Sequence, residues 1–292
     1  AVPREPARRG RRNTQRRLTA LALALGATLA WGVADFVGPL VGRTLGTLPV
    51  LFWAQVGGLA AIALAVAVRS QRPHEWLVLL AVPAALAGTL GLWAYYRGVA
   101  AGAISVVAPI AGASAIIPVV FGIATGDSPS AVQIAGIGCA IVGVVLASLE
   151  PREGARRVAA GVGLAALAAI GFGLYFPPMH AAGKADFWWA SLVFRTTSLL
   201  VVTAAVGTQR PDLRLRPRDL LIVLGVGIGD TLGNVLYAAS AGHGLVSLTA
   251  VLASLYPIVT VLLAAAVLSE RTAPAQRAGI ALTLAGVVLI AF

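Results

Sequence analysis

The chain has 292 residues, of which 59% are hydrophobic and 11% charged. Soluble domains carry roughly 25% charged residues, so this composition excludes a soluble globular protein and leaves a polytopic membrane protein. The net charge of +11 does not point to nucleic acid. Arg4, Arg8, Arg9, Arg11, Arg12, Arg16 and Arg17 all precede the first apolar run, where they read as a topology signal and a contact for anionic lipid.

A membrane span needs about 20 apolar residues. The first run, 18–40, is too long for a signal-peptide core and reads as an uncleaved span. Nine more candidates follow at 48–68, 76–96, 103–125, 131–149, 158–179, 187–206, 220–241, 245–268 and 274–292. All must be helical, because lipid offers no partner to a free backbone group. Turn chemistry marks the breaks: Ser-Gln-Arg-Pro at 70–73, Gly-Asp-Ser-Pro at 126–129, and Arg-Pro at 210–211 and 216–217. The lone Cys139 lies in an apolar segment, so there is no disulfide framework and no cysteine metal site.

The chain repeats itself. Thr89-Leu90-Gly91 is answered by Thr231-Leu232-Gly233, an offset of 231 − 89 = 142 residues. At that offset Tyr95 meets Tyr237, Gly102 meets Gly244 and Ser105 meets Ser247. After a one-residue slip Asp127 meets Glu270, Gly136 meets Gly279, and Gly143 meets Gly286. The expected organisation is a basic cytoplasmic tail (1–17), a five-helix repeat (18–149), a linker (150–157) and a second five-helix repeat (158–292). Five is odd, so the second copy enters from the opposite side. The expected fold is therefore all-α and integral to the membrane, with ten transmembrane helices as two inverted repeats and a solute site between them.

Positive charges do not settle orientation. With the N-terminus inside, ten lie on the cytoplasmic side and eleven outside. The tail and the 69–72 loop favour both termini in the cytoplasm, since early spans usually dominate. The glycines Gly26, Gly32, Gly38, Gly42, Gly136 and Gly143 read as scaffold, because small residues let helices approach closely in lipid.

Several motifs resemble a known family. Leu268-Ser-Glu-Arg271, then Gln276-x-x-Gly279 and Ala285-Gly-Val-Val-Leu289, resembles the end of an EamA-type repeat of the drug/metabolite transporter superfamily. Trp31-Gly32-Val-Ala-Asp35-Phe36, Tyr96-Arg97, Ser105-Val-Val-Ala-Pro109 and Ser254-Leu-Tyr-Pro257 fit a subgroup of it. Gly126-Asp127 departs from the family's usual Gly-Glu. The resemblance covers nearly all of 18–292 and implies a ten-helix carrier that moves small organic solutes, often outward.

Ionisable groups inside a membrane cost about 2.5–3.5 kcal/mol each at the centre, so each needs a reason. Asp35, Arg195 and Asp230 are the three clear cases, and none is mirrored. Asp230 corresponds to Gly88, Asp35 to about Phe176, and Arg195 to Trp53 or Gln55. Scaffold repeats and charge does not, which favours function for the charges. Asp230, Asn234 and Tyr237 share one helix face, as do Trp31 and Asp35. Trp188, Ser191, Arg195 and Ser198 form another polar-aromatic stripe. Facing a cavity, this set suits a zwitterionic or polar aromatic solute. The plainer reading is a structural Arg195–Asp230 bridge, with Asp35 reaching interfacial water. Tyr96, Arg97 and Tyr256 complete the candidates. For Arg97 the alternative is snorkelling; for Tyr256, which precedes Pro257, it is tolerated curvature. His180 and His243 at span ends and His74 in a loop read as solvated.

The expected function is a proton-linked exporter of a small polar metabolite such as an amino acid, working by alternating access in the cell membrane. No cofactor, metal or catalytic residue is implied. The expected partners are the solute, protons and the bilayer, with no nucleic acid. Two alternatives stand beside it: an uncoupled facilitator, and a membrane-embedded enzyme acting on lipid-linked substrates.

Overall fold

The computed structural model describes residues 5–73, 75–100, 111–147, 155–267 and 274–291. All regular structure among them is helical. The helices are α1 (Glu5–Leu45), α2 (Thr47–Arg69), α3 (Ala81–Ala100), α4 (Ile116–Ala124), α5 (Ala131–Ala147), α6 (Ala155–Gln209), α7 (Pro217–Ser240), α8 (Val246–Ala253), α9 (Tyr256–Val267) and α10 (Pro274–Ala291). Short 3-10 turns, Trp76–Leu80 and Ala113–Ala115, lead into α3 and α4.

These elements do not match the ten expected spans one for one. Five are long and apolar enough to cross a bilayer: α1, α2, α3 with its lead-in turn, α6 and α7. The apolar helices Ala113–Ala124, Ala131–Gly143, Val246–Thr260 and Arg277–Ile290 are shorter, at 10–17 residues. The expected sixth and seventh spans are merged in α6, whose apolar stretch Gly163–Gln209 holds 47 residues. At about 1.5 Å per residue that is roughly twice the ~30 Å hydrocarbon core. Asp186 breaks it, with φ −162 and ψ 108. Its Oδ1 accepts the N–H groups of Trp188 and Trp189 at 3.0 and 3.2 Å, the role of an N-cap. Helix α1 starts at Glu5, so most of the basic segment is helical and runs on into the first apolar stretch.

Proline behaves similarly around residue 257. The chain turns at Ser254–Leu255 and restarts at Tyr256, which places Pro257 in the first turn of α9. There its missing N–H costs nothing. The 3-10 turn Ala113–Ala115 interrupts the first copy at a comparable place. Pro109, Ser105, His74 and the 268–273 motif lie outside the described residues.

Packing relates the two halves. Gly46 separates α1 from α2 as Asp186 divides α6, and 186 − 46 = 140. Ser70 and Arg210 end the following helices with left-handed φ of 54 and 45, again with 210 − 70 = 140. Where α5 crosses α10, a Cβ on Gly136 would lie 2.9 Å from the Gly286 carbonyl oxygen. One on Gly143 would lie 2.8 Å from that of Gly279. Gly136 and Gly279 are repeat mates, as are Gly143 and Gly286. Exchanging the halves therefore maps the crossing onto itself, as a two-fold relation requires.

The tightest crossing joins α2 and α7. A Cβ on Gly227 would run into the Ala54 carbonyl, and one on Gly57 would sit 2.7 Å from that of Leu224. Backbone cannot yield as a side-chain tip can. Gly227→Val is expected to lower stability by more than about 3 kcal/mol, at or beyond the upper range for overpacking. Gly225→Ala, where a Cβ meets nothing within 4 Å, should cost nothing. Melting temperatures of the two variants in detergent check this, and a Gly227→Val protein as stable as Gly225→Ala would refute the crossing.

Candidate functional site

A cavity opens at the centre of the bundle. From α1 come Trp31 and Asp35, and from α2 Gln55. From α3 come Gly88, Thr89 and Leu92. The two arms of α6 bring Phe172, Tyr175, Phe176 and Phe194, α7 brings Asp230 and Asn234, and α9 brings Tyr256. Its volume is about 60 Å³, room for only a few water molecules. The walls are mainly rings. Trp31 stands 5.8 Å from Tyr175 and 6.1 Å from Phe176, edge to face, and Tyr175 stands 5.4 Å from Phe194.

The polar groups divide into a tied set and a free one. Arg195 on α6 is 1% exposed. Its Nη2 pairs with Asp230 Oδ2, and its Nη1 donates to Gln55 Oε1 at 2.6 Å. The backbone carbonyl of Asp230 accepts Trp31 Nε1–H at 3.2 Å and Asn234 Nδ2–H at 2.8 Å. Beside this set Thr89 Oγ1 donates to Ser198 Oγ at 2.8 Å. Asp35 differs. It is 8% exposed, lines the cavity, and has no hydrogen bond or ion pair among the described residues.

Of the candidate residues, the structure brings Trp31, Asp35, Asp230, Asn234 and Tyr256 to the cavity wall. Arg195 stands directly behind Asp230. Tyr237 lies in the next layer, donating to the Phe176 carbonyl at 3.0 Å and packing 5.0 Å from the Phe176 ring. Tyr96 is buried with its hydroxyl end against Gly38 of α1 and is not one of the lining residues. Arg97 is exposed, 5.9 Å over the Trp93 ring, and is not gathered into the site. His180 corrects its expectation: it is 5% exposed, not solvated, because α6 carries it into the bundle beside Tyr237. His243 is exposed as expected.

The wall has a hidden regularity. Asp35 and Phe176, Trp31 and Phe172, Asp230 and Gly88, and Asn234 and Leu92 are repeat mates by the sequence offsets, and all eight line the cavity. Gln55 and Arg195, 140 residues apart, touch each other. The cavity therefore lies on the relation between the halves, and at Asp35/Phe176, Asp230/Gly88 and Asn234/Leu92 one mate is polar and the other apolar or small.

A family model for EamA-like transporters matches residues 18–149 and 159–292. The chain belongs to the EamA-like transporter family. It is thus a membrane transporter of the drug/metabolite transporter superfamily, as the sequence motifs implied. No curated protein sequence matches this EamA-family chain. One solved structure, described only as "Crystal structure of protein", is 18% identical. It superposes with a TM-score of 0.75 over 92% of this chain and 95% of the other, a likeness of fold.

For this EamA-family transporter, sequence reasoning missed Gln55, Thr89, Phe172, Tyr175 and Phe194 as lining residues. The signal for Gln55 was present: it is a polar side chain in an apolar span, at a mate position of Arg195. The aromatic residues carried no signal, because a ring in a membrane helix is equally at home facing lipid.

Proposed function

We propose that the protein is a proton-linked exporter of a small amine-bearing solute, such as an amino acid, which the central cavity admits when the two copies move apart. One observation carries this. Asp35 is a buried carboxylate with no partner among the described residues, in a cavity whose cation Arg195 is already held by Asp230 and Gln55. A carboxylate so placed needs a proton or a cation beside it. Rings around it offer their negative faces to an ammonium group and flat contact to its apolar body. Binding the ammonium at Asp35 displaces a proton, which couples solute to proton one for one.

Alternating access supplies the movement. The chain would cross the membrane ten times as two inverted repeats, 18–149 and 158–292, joined by the linker 150–157, with the two copies rocking about the cavity. The supporting facts are the shared breaks, the self-matching α5–α10 crossing and the interruptions before α4 and α9. Loops expected on one side also meet: Arg69 pairs with Asp186 at 2.8 Å, and Trp189 Nε1 donates to the Gln71 carbonyl at 2.8 Å. At the other end Trp53 Nε1 donates to the Leu213 carbonyl at 2.9 Å. Both termini would lie in the cytoplasm. A cysteine replacing Arg214 should then react only with an impermeant reagent added outside intact cells, and labelling from the inside would reverse the topology.

The test uses protein in liposomes loaded with a pH-sensitive dye, challenged with amino acids, nucleosides and organic cations. Solute-dependent proton movement for the amine-bearing members is the expected result. Tracer uptake with no proton movement would leave an uncoupled facilitator. Equal uptake of solutes without an amine would sink the substrate assignment.

A further inference from the structure

A second, larger cavity opens at the end of the bundle that carries the N-terminus. Its volume is about 590 Å³. It is set between the start of α1, the loop before α5, α6 just ahead of its break, the α7–α8 loop and the end of α10. Arg16, Arg17, Lys184 and His243 line it, and among the described residues no carboxylate does. Asp127 lies close by but is engaged, its Oδ2 accepting the Ser247 N–H at 2.8 Å. Other polar groups of the wall are also committed. Gln133 Nε2 donates to the Ile290 carbonyl at 3.3 Å, and Thr249 Oγ1 donates to the Leu245 carbonyl at 2.9 Å.

Three permanent cations around one mouth repel one another unless an anion sits among them. Another part of the wall is apolar, formed by Leu21 from α1, Leu248 from α8 and Ile290 from α10. A free inorganic ion would use only the basic half. A headgroup with the root of its acyl chains uses both, and basic pockets between membrane helices hold anionic headgroups in this way. The mouth is separate from the central cavity. Along α1 the buried Ala24, Ala27 and Thr28 lie between Ala20 at the mouth and Trp31 at the cavity.

We propose that this mouth is a binding site for a phosphate anion carried by a lipid headgroup, held by Arg16, Arg17 and Lys184. A lipid bound there joins α1, α6 and α10 at one end of the bundle. It also places its charge where the basic tail leaves the membrane. The site does not depend on which solute the central cavity takes.

The experiment is equilibrium binding of radiolabelled dioctanoyl phosphatidylglycerol to the purified 292-residue chain in neutral detergent. Saturable binding near one lipid per chain is expected. The double variant Arg17→Gln, Lys184→Gln should bind at least tenfold more weakly. Arg210→Gln, Arg214→Gln, which removes two charges at the opposite end, should bind like the parent. Gel filtration shows that each variant remains monodisperse. Unlabelled inorganic phosphate displacing the label at matched concentration would assign the site to a soluble anion with the same chemistry; displacement only by anionic lipid assigns it to the headgroup. Non-saturable binding, or an equal loss in both double variants, would overturn the proposal, because the charges would then act only as a diffuse surface.

Discussion

Asp230→Asn is expected to lower stability by about 3–5 kcal/mol and to abolish proton-driven transport. The stability loss follows from burial. Arg195 is 1% exposed, and its Nη2 faces Asp230 alone among the described acids. Removing one partner of a buried pair strands the other charge, which costs far more than the pair itself contributes. Gln55 holds Nη1 at 2.6 Å but carries no charge to compensate. The double variant Arg195→Met, Asp230→Asn removes both charges and should recover most of the lost stability, since a buried pair is often matched by apolar replacement. It should not recover transport. Melting temperature and dye-reported proton flux on the same preparations separate the two effects. A single Asp230→Asn variant as stable as the parent would show that the pair is not the scaffold it resembles here. A double variant that transports normally would show that the pair is only scaffold.

Asp35→Asn should behave in the opposite way. Asp35 has no ion pair among the described residues to lose, so its neutralisation should leave stability unchanged or raise it. Transport should suffer. Removing one charge from a buried ammonium–carboxylate contact typically costs about 2–5 kcal/mol, or roughly 30-fold or more in apparent affinity. Solute-induced proton release should vanish with it. Asp35→Glu keeps the charge, and it should retain coupling with reduced affinity, because the cavity of about 60 Å³ has little room for another methylene. An Asp35→Asn protein that still moves protons with solute would remove Asp35 from the mechanism. The contrast between Asp35 and Asp230 is the sharpest consequence of the arrangement: two acids in one wall, one tied and one free.

Much of the scaffold was legible before any coordinates. Apolar length and turn residues are local properties, and lipid forces each such stretch to satisfy its own backbone as helix. The repeat was legible because small residues at crossings must recur if crossings recur, as Gly136 with Gly279 and Gly143 with Gly286 do. Boundaries were less legible where a side chain sets them. Nothing in apolar length says that Asp186 caps the second arm of α6, or that the chain restarts at Tyr256 rather than bending at Pro257.

The sequence by itself determined the class, the duplication, the family and the three intramembrane charges, because each is written in composition or in motifs along one strand of chain. Only the tertiary structure decided which of those charges meet. It paired Arg195 with Asp230 and Gln55, left Asp35 open to the cavity, kept Arg97 on the surface and buried His180. The physical reason is rotational. A helix apolar on every side does not announce which face turns inward. In lipid, that face is set by close packing at small residues on neighbouring helices that are distant in sequence.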